Sequence, residues 1–223
     1  MWPYLVREAL NVFDLRNYAK SGATFKDATR TAGNERQNLS YQIEVAENDL
    51  TNPNNVFPTV GDFVPDIVIF ALGTNDGAPN DTYDSAMAKT IISGSAVDIP
   101  ATLANLDLSK FNEAVRYAFL KVKSMFPYAL VLCVLPIQRA EPYNTPNITT
   151  LHDALKKMAE RHSMLVVDGA FSSGIVTDNE VEDGLGECLK DGLHPNEKGQ
   201  NLMTRMILNA IKNNWISQVW LNS

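Results

Sequence analysis

The sequence predicts a three-layer α/β/α sandwich on a parallel sheet, and two observations carry that expectation. Short runs are apolar at nearly every position: 66–72 (Asp-Ile-Val-Ile-Phe-Ala-Leu), 129–135 (Ala-Leu-Val-Leu-Cys-Val-Leu) and 164–168 (Met-Leu-Val-Val-Asp). Such runs suit strands buried on both faces. Segments with helical periodicity alternate with them, and strand–helix–strand order favours a parallel, doubly covered sheet.

Taken along the chain, Trp2–Leu10 reads as a short helix. Residues 12–18 read as a strand feeding the turn Lys20-Ser21-Gly22-Ala23, and Leu39–Asn48 as another helix. The run 66–72 is opened by Pro65 and stopped by Gly73. Phe111, Ala114, Val115, Ala118, Phe119, Val122, Met125 and Phe126 follow the i, i+3, i+4, i+7 pattern of a helix. Ser109 is its expected cap and Pro127 its stop. Leu151, Ala154, Leu155, Met158 and Ala159 repeat the pattern, as do Met203, Met206, Ile207, Ala210 and Ile211. Neither a repeat nor a linker interrupts the order, so residues 1–223 are expected to form one domain, with a tail at 216–223.

Composition narrows the function. The 223 residues are 45% hydrophobic and 20% charged, an ordinary globular mixture. The net charge of −7, with no basic run, speaks against a nucleic-acid partner. No stretch reaches the ~18–20 apolar residues of a membrane helix. Two cysteines, Cys133 and Cys188, are too few for a disulfide scaffold or a structural zinc site, and Cys133 is expected to pack as a small hydrophobe. The N-terminal residues show no signal-peptide layout, and the sequence names no compartment. Asn38-Leu-Ser and Asn147-Ile-Thr match the glycosylation pattern, which occurs too often by chance to decide anything.

The long connections, 77–108, 138–149 and 170–190, all follow strand C-termini, the edge where open parallel sheets hold ligands. Two segments there stand out: Leu72-Gly73-Thr74-Asn75-Asp76-Gly77, and Asp191-Gly192-Leu193-His194-Pro195 before the last helix. A carboxylate three residues before an imidazole can hold its Nδ1–H and leave Nε2 free as a base. For an isolated D-x-x-H the plainer reading, a His and Asp on a polar surface turn, wins easily, since the spacing is common by chance. Asn75 can donate an amide N–H to an oxyanion, and a backbone N–H in the Gly22 turn can be a second donor. Ordinary turn chemistry also accounts for both. His152 and His162, on or at the end of a helix, are expected to be solvated.

In this order and at these strand ends, the segments resemble the SGNH (GDSL-type) hydrolase family. The match is to a glycine turn, G-x-N-D and D-x-x-H-P, and spans the chain from Trp2 to about Trp215. The resemblance implies a flavodoxin-like hydrolase fold and a serine esterase or acylhydrolase acting on small acyl esters, carbohydrate O-acetyl groups among them. It implies no metal and no cofactor. His194 would be the base, Asp191 its orienting acid, and Gly22 and Asn75 the oxyanion donors.

The family's Gly-Asp-Ser segment, which carries the nucleophile, does not occur in this sequence. The nucleophile is therefore expected upstream of Met1, on a strand and turn of about ten to twenty residues. Three other accounts stay open. One is a catalytically inactive carbohydrate- or protein-binding domain on the same scaffold. Another is a strand lent by a second chain. The last is a permuted segment, for which the terminal Gln218–Ser223, ending in serine, is a candidate. Residues 77–108 are long enough to form a lid, with Tyr83, Met87, Ile91 and Ile92 as its apolar contacts or as packing onto the body. Tyr143, with Arg139 and Glu141, lines the next loop and is a candidate sugar contact. Oligomeric state is left open.

Overall fold

A computed structural model describes residues 1–12, 14–27, 37–51, 64–89, 103–141 and 146–219. Three parallel strands, β1 (Ile67–Ala71), β2 (Leu130–Val134) and β3 (Leu165–Val167), form a sheet in the order β1-β2-β3, flanked by helices. The helices are α1 (Trp2–Leu10), α2 (Leu39–Thr51), α3 (Tyr83–Ala88), α4 (Phe111–Met125), α5 (Pro146–Arg161), α6 (Gly169–Ser172) and α7 (Glu197–Val219). The α/β expectation holds, and each predicted apolar run centres on an observed strand. The helix α7 runs on through Val219, into the expected tail.

The chain gathers into two compact units. One comprises Met1–Asn17, Val134–Pro146 and Val166–Ser223; the other comprises Tyr18–Cys133 and Asn147–Leu165.

The second unit is built on α4, which buries Phe111, Val115 and Phe119 completely and leaves Val122 4% exposed. Phe25 meets Phe111 and Phe119 edge-on, at ring-centroid distances of 5.9 and 6.2 Å, and Phe70 of β1 lies 5.3 Å from Phe119. Each such ring contributes about 1.5–3 kcal/mol by leaving water, before the further gain from edge-on geometry. Leu151, Leu155, Met158 and Ala159 of α5 are likewise fully buried.

The cap of α4 does not come from Ser109, whose hydroxyl bonds Asp107 at 2.7 Å. It comes from residues about 31 positions upstream. Asn80 Oδ1 accepts the Phe111 N–H at 3.0 Å, and the Asp81 carboxylate accepts those of Asn112 and Glu113 at 2.8 and 3.3 Å. A carboxylate here meets both the orphan donors and the positive end of the helix dipole. The same connection is fastened again at α3, where Thr82 and Ser85 form a reciprocal cap. The Arg116 guanidinium holds the carbonyls of Ala86 and, at 2.9 Å, Lys89.

In the first unit α1 packs on α7, and the Trp2 N–H donates to Gln200 Oε1 at 2.7 Å. Asn11 ends α1 in the left-handed region, φ 51°, which asparagine tolerates. Ile175, Cys188 and Leu189 form a second small core with Ile137 and Leu202.

Three expectations fail. Residues 14–18 are not one of the sheet's strands; Asp14 and Arg16 bond each other instead, at 2.8 Å. His152 keeps only 7% of its surface. His162 is half-buried against Phe119, with Nδ1 donating to the Met158 carbonyl at 2.8 Å. Cys133 is 1% exposed, as a small hydrophobe should be, and burial pushes its thiol up to about 12. Asn38 is 2% exposed and bridged to Thr24, a position closed to a glycan.

Candidate active site

In the first unit, residues 186–196 are folded around the Glu180 carboxylate, which accepts the N–H groups of Cys188 and Leu189 at 2.9 and 2.8 Å. Leu189 and Pro195 pair as an antiparallel bridge, and the Lys190 N–H donates to the His194 carbonyl at 2.9 Å. This closes 190–194 into a tight loop. Gly192 sits at φ +71°, and a Cβ there would lie 2.8 Å from the Val181 carbonyl. Only glycine fits that approach. Asn196 then caps α7 through the Gly199 N–H at 3.1 Å. A Cβ on Gly199 would stand 2.3 Å from the Cys188 carbonyl.

Within that loop Asp191 Oδ1 accepts the His194 N–H at 2.7 Å and the Leu193 N–H at 3.2 Å. Its other oxygen, Oδ2, lies 2.8 Å from His194 Nδ1. The backbone bond from His194, then the imidazole and the Leu193 N–H, hold the Asp191 carboxyl down at about 2. An ionised carboxylate only accepts, so Nδ1 carries the proton and Nε2 of the neutral ring has its lone pair free. The imidazole is 58% exposed and can meet a substrate.

In the second unit, the Gly22 turn is closed by the Ala23 N–H on the Lys20 carbonyl at 3.1 Å, with Gly22 exposed at its tip and at φ +77°. Asn75, exposed just past β1, donates Nδ2–H to the Ala23 carbonyl at 3.2 Å. The predicted pair is thus brought together, with one amide proton of Asn75 engaged and the second left for a ligand.

Asp76 is a residue the sequence reading passed over. It is 4% exposed, and its two oxygens accept the N–H groups of Phe25 and Lys26 at 2.9 Å each. This clamp ties the segment that leaves the Gly22 turn to the loop that carries Asn75. Burial pushes the Asp76 carboxyl up to about 6, against the two backbone bonds that favour its charged form. The signal was present in the Asn-Asp-Gly string, where turn propensity masked it.

Among the remaining candidates, Tyr83 is half-buried with Lys157 Nζ 4.0 Å from its ring centroid, and Met87 is half-buried on α3. Ile91, Ile92, Tyr143 and Ser223 lie outside the described residues. Among the described residues no group of three His, Cys, Asp or Glu side chains could hold a metal ion. Among the same residues no helix is long and apolar enough to cross a membrane.

The class these features define is an α/β protein with an acid–imidazole couple open to solvent before its last helix. The chain belongs to the GDSL-like Lipase/Acylhydrolase family, whose model matches residues 1–202. Two solved structures show the same fold. One is a protein described as a possible lipase from Chitinophaga pinensis, 14% identical, with TM-score 0.56 over 93% of this chain and 86% of that one. The other is a protein of Lactobacillus plantarum, also 14% identical, with TM-score 0.51 over 87% and 78%. Compared by sequence with curated proteins, the chain matches none.

Proposed function

We propose that the protein is a serine-type hydrolase of small acyl esters, with carbohydrate O-acetyl groups within its substrate class and residues 1–223 acting as one hydrolase domain. The observation that carries this reading is the 2.8 Å bond between Asp191 and His194 Nδ1, which leaves Nε2 basic and exposed. In the reaction a serine hydroxyl attacks the acyl carbon while His194 Nε2 takes its proton. Gly22 N–H and the Asn75 amide stabilise the oxyanion of the tetrahedral intermediate. The imidazolium then protonates the leaving alcohol, and water, activated by the same nitrogen, releases the acid and restores the serine. Asp191 stays ionised throughout and holds the ring.

The test is hydrolysis of 4-nitrophenyl acetate by the full-length protein, with labelling by a serine-reactive fluorophosphonate. His194→Ala abolishes turnover while the far-ultraviolet circular dichroism is unchanged. Full activity in that variant removes His194 from the mechanism. Acetate release from O-acetylated oligosaccharides tests the narrower substrate class.

A further inference from the structure

We infer that Arg139 is the recognition residue for a carboxylate carried by the ester substrate. The inference rests on the acyl-ester reading above and names the substrate class that the reading leaves open.

Arg139 lies in the segment that leaves β2, in the same unit as the Asp191–His194 couple. Its neighbour Ala140 donates N–H to the Gly192 carbonyl at 2.9 Å, and a Cβ built on Gly192 would stand 3.0 Å from the Ala140 Cβ. Arg139 is therefore one residue away from the backbone of the catalytic turn. Three Cα steps of 3.8 Å and one hydrogen-bonded crossing of about 5 Å separate it from His194, a path of about 16–17 Å at most.

Its environment is unusual for a cation. The residue keeps 6% of its surface, and Nε is sealed from solvent with no hydrogen-bond partner. Among the described residues no carboxylate pairs with it. Burial lowers the pKa of its guanidinium, because desolvation disfavours the charged form. The other buried arginine, Arg116, also has an unpartnered Nε, but two backbone carbonyls hold the rest of its guanidinium, and nothing comparable among the described residues holds Arg139. The bonds that fasten the Arg139 segment come from Gln138 instead, to the Ala170 carbonyl at 2.9 Å and the Thr177 N–H at 3.1 Å.

A buried ion without a counter-charge carries an uncompensated desolvation penalty. A ligand that brings the counter-charge recovers that cost on binding. The planar fork of a guanidinium fits two coplanar oxygens, the geometry of a carboxylate. With a net charge of −7 the protein offers an anion no long-range attraction, so recognition has to be local. Arg139 and the Asp191–His194 couple belong to the same unit, so a single substrate that carries both a carboxylate and the scissile ester can engage the two. Half-esters of short dicarboxylic acids and O-acyl esters of sugar acids have that arrangement.

The experiment compares wild type, Arg139→Met and Arg139→Lys of the full-length protein on mono-4-nitrophenyl glutarate and on the neutral 4-nitrophenyl butyrate. The expected result is that the ratio of kcat/KM for the anionic over the neutral ester falls about 10- to 100-fold in Arg139→Met, chiefly through KM. Arg139→Lys, which keeps the charge and the fold but loses the fork, lies between. In parallel, monomethyl glutarate raises the Tm of wild type and not that of Arg139→Met. An unchanged ratio in both variants overturns the inference, and so does an equal Tm shift in wild type and variant. Should wild type hydrolyse neither ester, the esterase reading fails, and the Tm shift alone decides for or against Arg139.

Discussion

Replacing Asp76 by asparagine tests the clamp beneath the Gly22 and Asn75 loops. The Asp76 carboxyl stands at about 6 in the folded protein against an ordinary 3.8. Between those values the unfolded chain has already released the proton that the folded protein retains, so stability falls as pH rises through this window. The fall is complete by pH 7 and amounts to about 3 kcal/mol, at 1.36 kcal/mol for each tenfold change in proton affinity. Asparagine resembles the protonated acid, with one accepting oxygen and one donor-bearing end facing two N–H groups. Asp76→Asn should therefore match wild type to within about 1 kcal/mol at pH 4 and exceed it by about 3 kcal/mol at pH 7. Urea denaturation of both proteins at several pH values between 4 and 7 measures this, because every other titrating group cancels in the difference. A flat difference refutes the buried-charge argument. A variant that loses ground as pH rises would show that the bonds from Phe25 and Lys26 outweigh burial.

Four further outcomes follow from the site. Asp191→Asn removes the acceptor that fixes the His194 tautomer, and kcat should drop on the order of 10³–10⁴-fold in steady-state assays with folding intact. Because Asp191 is held at about 2, its ionisation should leave no acid limb on the activity profile above pH 4. On the proposed mechanism Asn75→Ala loses one oxyanion donor, and kcat should fall about 10²–10³-fold with KM little changed. Gly199→Ala forces a methyl group to 2.3 Å from the Cys188 carbonyl. The loop must yield, and thermal denaturation should report a loss of about 3 kcal/mol.

How much of this was legible in the sequence differs from one element to the next. Phe111–Met125 and Trp2–Leu10 were readable because periodicity and stop signals sit in the segments themselves. The Asp191–His194 couple was readable for the same reason, since three residues of spacing suffice to bring carboxylate and ring together. Residues 14–18 misled because a strand is defined by its ladder partner, which an apolar run does not reveal. His152 and His162 misled because helical periodicity does not say how wide a buried face is. The cap of α4 was hidden, since Asn80 and Asp81 reach it only after about 30 residues of chain have folded back. Asp76 was hidden because its partners, Phe25 and Lys26, are fifty positions away.

That distant cap changes what the connection after β1 can do. Residues 80–81 satisfy three successive amide protons at the start of a helix whose other face is the aromatic core. Swinging this stretch outward would strand those amides and fray the first turn of α4 along with it. Opening is thereby a local unfolding event, and the amide hydrogens of Phe111, Asn112 and Glu113 should exchange with solvent at the rate of that event. The described part of the connection, residues 77–89, is thereby tied to α4 and gives way only together with the first turn of that helix.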